Sequence, residues 1–139
     1  MATDTKRTGL HNQKRGVCVM VSEELGSTTT EGVAVVSTGS TIATLPDKSM
    51  IISVRILVTA ASAASDDLAV DYAGSALEAS ILVDALGMIT GTPITTAAYS
   101  ATGGDVVVKN GAQVVDTTFR GRAIIEYIEL DKVTGEYTA

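Results

Sequence analysis

The hydrophobic pattern is most regular between residues 50 and 60, MIISVRILVTA, where side chains alternate with period two. Successive side chains of a strand point to opposite faces, so Ile52, Val54, Ile56 and Val58 fall on one face. Ile51, Ser53, Arg55, Leu57 and Thr59 fall on the other. The first set is predicted to face the core. Shorter runs of strand character are Val17-Cys18-Val19-Met20-Val21, Gly32 to Val36, Thr41 to Leu45, Leu68 to Tyr72 and Arg122 to Leu130. Pro46-Asp47 closes the third of these, and Ser22-Glu23-Glu24-Leu25-Gly26 stops the first. Asn110-Gly111 stands between the apolar runs at 106–108 and 114–115 and predicts a hairpin, because a type I′ turn needs positive φ at both central residues. Residues 75–86 are ambiguous. Leu77, Ile81 and Leu82 have helical spacing and Ser75 with Glu78 resembles a capping box, yet an irregular strand fits equally well.

This succession of about eight short strands separated by turn signals predicts an all-β fold, an antiparallel β-sandwich or jelly-roll-like domain. Composition agrees. Of 139 residues 45% are hydrophobic but only 4% aromatic, and the apolar mass is Ala, Val, Ile and Leu among many Thr, Ser and Gly. β-branched residues suit a pleated, half-buried surface, and Gly and Ser mark turns. The length fits one domain with a core large enough to fold without staples. Residues 1–16, MATDTKRTGLHNQKRG, show no apolar periodicity and are expected to form an extended N-terminal arm ahead of a sandwich over 17–139.

Charge sharpens that division. The arm holds four bases, Lys6, Arg7, Lys14 and Arg15, against Asp4 alone, which is +3. The remainder has six bases against fifteen acids, which is −9, so the net charge is −6. An acidic body repels nucleic acid, and a nucleic-acid role could rest only on the arm. The arm has three readings: a solvated segment, an anchor on the acidic surface of a neighbouring protein, or a nucleic-acid contact. Lys6, Arg7, Lys14 and Arg15 are the partner-binding candidates. Neither a secretory nor a transmembrane segment is expected, since the N-terminus lacks an apolar stretch and Arg55 interrupts the best apolar run. A soluble protein without a membrane partner is the expectation.

Residues suited to catalysis are scarce. His11 is the single histidine and lies in the arm, a poor place for a general base that must be held within hydrogen-bond reach of its target. Without a second imidazole no Ser-His-Asp constellation can be built. Cys18 lies among Val17, Val19 and Met20, with no neighbouring base or cation to activate it, and one cysteine cannot form an internal disulfide. Asp66, Asp67 and Asp71 form the densest acidic cluster, but the pattern is no EF-hand and a solvated loop is the default reading ahead of a calcium site. Gly103-Gly104 lacks the pattern of a phosphate loop. The expectation is a protein that is not an enzyme, with no catalytic residue, cofactor or metal ligand.

Three segments carry a resemblance. Leu45 to Thr59 has the form LP-x-x-S-x-I-x-x-V-x-x-x-V-T; Leu68 to Gly74 ends in V-x-Y-A-G; and Tyr127 to Tyr137 reads YIELDKVTGEY. They are similar to segments of small tailed-bacteriophage virion proteins that resemble capsid decoration (cement, head stabilisation) proteins, over about residues 40–137. The resemblance implies a structural virion protein, made in the host cytoplasm and attached to the outer surface of the phage head. Its partner would be the major capsid protein or another virion protein, and it would form a homo-oligomer or a symmetric multi-copy array. The basic arm and the few aromatics depart from that pattern. Alternatives are a tail, head-fibre or connector protein, or a carbohydrate- or ion-binding β-module using Asp66, Asp67 and Asp71.

Overall fold

The computed structural model describes residues 17–27, 32–91 and 95–130. They form eleven strands and one 3-10 turn (Thr95–Ala97), with no α-helix. In chain order the strands are β1 (Cys18–Val21), β2 (Leu25–Gly26), β3 (Val33–Ala34), β4 (Ser40–Leu45), β5 (Ser49–Ala60) and β6 (Asp67–Tyr72). There follow β7 (Ser75–Leu82), β8 (Gly87–Thr90), β9 (Tyr99–Ser100), β10 (Gly104–Asn110) and β11 (Arg120–Glu129). Two sheets result. The larger runs β3-β2-β11-β5-β8, with β1 also on β11 and β9 on β5; the smaller runs β4-β10-β6-β7. Every pairing is antiparallel except β2 with β3. The fold is therefore the expected all-β sandwich, with more and shorter strands than the hydrophobic pattern announced.

The core lies between the sheets. Val54, Ile56, Val58, Ala123 and Ile125 from the large sheet join Leu68, Val70, Tyr72, Leu77, Ile81, Val106 and Val108 from the small one. Burying each such aliphatic side chain is worth about 1.5–3 kcal/mol, which is how a chain so poor in aromatics can assemble a core. Tyr72 and Phe119 are the two large aromatic rings fully inside, and the Tyr72 hydroxyl donates to the Ser49 carbonyl at 3.1 Å.

One assignment on β5 is corrected. Ile52 is 43% exposed, whereas Ile51 is only 2% exposed and belongs to the core. The cause is a bulge: Tyr127 pairs with Ile51 and Glu126 with Ser53, leaving Ile52 as an extra residue. Such an insertion shifts the inside–outside phase by one. Alternation therefore predicts Val54, Ile56 and Val58 correctly and fails on the far side of the bulge.

The Asn110-Gly111 hairpin is also absent. Strand β10 already has β4 on one edge and β6 on the other, so neither edge is free for residues 114–115, which form no strand. Gly111 is not a positive-φ residue. It is required instead because a Cβ there would lie 2.5 Å from the Asp67 carboxylate. The Asn110 side chain accepts from the Val115 N–H at 3.1 Å and folds the following loop back. The tight hairpin lies elsewhere, at Ala73-Gly74 between β6 and β7, where φ is +51° and +83°. Residues 75–82 resolve as strand rather than helix, and Leu25-Gly26 as strand rather than stop.

Candidate functional site

Lys6, Arg7, Lys14 and Arg15, the predicted arm anchor, lie outside the described residues, as does His11. Cys18 is half-buried in β1, and its Sγ lies 3.8 Å from Glu129 Oε2, to which it donates. β1 and β11 are adjacent strands, and that pairing brings the two together.

The acidic cluster is a set of separate latches. Asp66 accepts from the Ser62 hydroxyl at 2.6 Å and from the Ala63 N–H at 3.2 Å, closing its own loop. Asp67 accepts from the Ser80 hydroxyl at 2.6 Å and the Gln113 N–H at 3.0 Å, tying β7 and the 111–118 loop to the start of β6. Asp71 pairs with Lys109 at 2.8 Å across β6 and β10. Asp84 accepts from the Ser65 N–H at 3.1 Å. Ser62 links the loops further by accepting from the Asp116 N–H at 2.9 Å. The result is one end of the sandwich at which loops 61–66, 83–86 and 111–118 are bound together. Among the described residues no three His, Cys, Asp or Glu side chains gather as metal ligands. What the cluster does chemically is order backbone.

Their environments shift two carboxyls in opposite senses. Burial raises the Asp67 carboxyl, but the Ser80 hydroxyl and the N–H groups of Gln113 and Ala112 outweigh it, and the net shift is below 3.8. Glu78, on β7, is only 4% exposed, and its Oε2 has no hydrogen-bond partner. Burial raises it above 4.5. Its carboxylate lies against Gly91, where a Cβ would come within 2.6 Å of Oε2. A buried carboxylate with an unpartnered oxygen is electrostatically strained when charged. The sequence gives no sign of it, since a glutamate that resembles half of a capping box does not look like a residue buried on a strand.

The surface holds an open depression lined by Glu23, Glu24, Gly32 and Arg122. The Arg122 guanidinium donates to the Ser22 carbonyl at 2.9 Å. Beside it, Val17, just ahead of β1, and Val19 and Val21 on β1 form an exposed row, at 50–58% each. Leu86 and Val114 project from the linked loops.

The sequence matches no protein-family model and no curated protein. Two solved structures are similar. One is a chain of the acid-stable capsid structure of Helicobacter pylori bacteriophage KHP30, with TM-score 0.52 and 11% identity over 81% of this chain and 91% of that one. The other is a chain of the cyanophage Pam1 capsid asymmetric unit, with TM-score 0.47 and 18% identity over 81% of this chain and 86% of that one. At such identity the first shows a common fold across most of both chains, and the second adds nothing to that conclusion.

Proposed function

We propose that this chain is a structural protein of a phage virion that decorates and stabilises the outer surface of the head. The observation that carries the reading is the fold held in common with a chain of a phage capsid structure, over 91% of that chain's length. Three segments of the sequence resemble decoration proteins independently of that comparison. Aspartates that serve as loop latches fit a structural role. In this reading residues 1–16 form the basic arm and residues 17–139 the sandwich. Lys6, Arg7, Lys14 and Arg15 hold the arm on an acidic surface of the major capsid protein or a neighbouring virion protein. Many copies on a symmetric shell supply avidity that one small contact cannot.

The test is binding of the whole chain and of a chain lacking residues 1–15 to empty, DNA-free shells and to free DNA. Retention of the whole chain on shells, with loss on truncation and no retention on DNA, is the expected result. Full shell binding by the truncated chain would remove the arm from the mechanism. Retention on DNA alone would overturn the head-surface reading.

A further inference from the structure

We infer that the outer face of the larger sheet is a self-association surface, on which a second copy of this chain stacks its own larger sheet about a two-fold axis. Directly opposed residues of neighbouring strands point to the same side of a sheet. Val54, Ile56, Ala123 and Ile125 face the core, so Arg55, Leu57, Ile124 and Glu126, which alternate with them, face outward. The register carries that face across the sheet. Val19 stands beside Glu126 and Val21 beside Ile124, while Met88 stands beside Leu57. Val19, Val21, Met88 and the bulged Ile52 are each 43–58% exposed. A sandwich that stays alone turns mainly polar residues to this side. Here the charges at the centre are a single ion pair, Arg55 with Glu126 at 3.1 Å, on the neighbouring strands β5 and β11.

The face is complementary to itself, which selects a second copy as the occupant. Stacked sheets lie about 10 Å apart with their strands within about 30° of one another. Consider a two-fold axis that crosses the strands between the level of Val19 and Glu126 and the level of Val21 and Ile124. It brings Val19 of each copy over Val21 of the other. It also sets Arg55 of each copy beside Glu126 of the other, so that the four central charges alternate in sign. Towards the ends it lays Met88 over Tyr99, which pairs with the opposite end of β5 and is likewise exposed. Placing the axis on either level instead would oppose Glu126 to Glu126 or Arg55 to Arg55, so charge fixes the register. Residues 17–139 sum to −9, and a patch whose central charges cancel is where two such bodies meet with least repulsion. Four strands about 4.8 Å apart and about eight residues of about 3.4 Å make a face on the order of 500 Å² per copy. Two such faces reach the roughly 1,000 Å² that a specific contact needs. The pairing stands on this face alone, whether or not the chain docks on a shell.

Sedimentation equilibrium of the full chain should show a dimer whose dissociation constant is on the order of micromolar. The Val19→Lys/Met88→Lys variant, altered only where the single chain is exposed, should weaken it about tenfold or more while circular dichroism and melting stay unchanged. Arg55→Glu and Glu126→Arg should each weaken the dimer too, because like charges then gather at its centre. Mixed in equal amounts, these two variants should associate with one another again, although the ion pair within each chain stays broken. That rescue reads the contact between copies and not the stability of one chain. A full chain that stays monomeric up to about millimolar concentration, a dimer indifferent to the two lysines, or a mixture no more associated than either variant alone would each overturn the self-association surface. A monomer whose lysine variant loses binding to empty shells would assign the face to a capsid partner, and would overturn it likewise.

Discussion

Val54 and Ile52 stand two positions apart on one strand, and the bulge between them gives them opposite fates. Val54 is fully buried, so Val54→Asp leaves a charge in the core without a partner and should cost several kcal/mol, on the order of 3–5. Ile52→Asp, at an exposed position, should cost less than about 1 kcal/mol. Urea denaturation of both variants reads the difference, and equal losses would contradict the bulge. The carboxyls make a second pair. Glu78 has a folded value raised above its unfolded one, so its contribution is fully present below 4.5 and is lost as pH rises through the folded value. Glu78→Gln should then be close to neutral near pH 4 and stabilising at pH 7, with a higher melting temperature than the unaltered chain. Asp67 is depressed, so its contribution is present above 3.8 and fades as pH falls through the lower folded value. Asp67→Asn should cost about 1–3 kcal/mol at neutral pH and progressively less in acid. A Glu78→Gln melting difference that does not grow with pH would show that this carboxylate is not strained.

At the scale of elements, the β6–β7 hairpin offers the clearest test of turn chemistry. Ala73 has positive φ in an exposed turn, where Asn is preferred, so Ala73→Asn should stabilise by about 0.5 kcal/mol. Gly74→Ala should destabilise although nothing lies within 4 Å of the added methyl, because the strain is in the backbone. Thermal melts of the two variants should shift in opposite directions. This hairpin also shows what the sequence could and could not reveal. Uninterrupted alternation was readable, as in Val54, Ile56 and Val58. Strand β7 was not, because its register against β6 shifts twice, leaving Leu77 and Ile81 four residues apart and imitating a helix. Asn110-Gly111 misled for a different reason: the glycine is there for close approach to Asp67, a long-range contact that local turn chemistry cannot register. Strands β2 and β9 span two residues each, too short for any period to show. The latch roles of Asp67 and Asp71 were hidden likewise, since their donors come from loops and strands remote in sequence, up to 46 residues away.

For the whole molecule, the division of charge between +3 and −9 predicts how attachment responds to salt. Exposed charge pairs are screened beyond about 8–10 Å at physiological ionic strength, so shell binding should weaken steadily as salt is added. The melting temperature should change little, because core packing is not ionic. Co-sedimentation with empty shells across a salt series, beside thermal melts in the same buffers, separates the two effects. Binding that is indifferent to salt would remove Lys6, Arg7, Lys14 and Arg15 from the contact. The arrangement of strands has a further consequence for how the chain is made. Strand β11 is the last of the described strands, yet it is the hub of the larger sheet, with β1, β2 and β5 all against it. While the ribosome is still adding residues before 120, β1 and β5 have emerged with no common partner to join them. The larger sheet therefore closes only after β11 has been made, and a chain truncated before β11 cannot complete it. Copies that stop before β11 should therefore lack a closed larger sheet and be cut readily by proteases, which limited proteolysis of a chain ending at residue 119 would show.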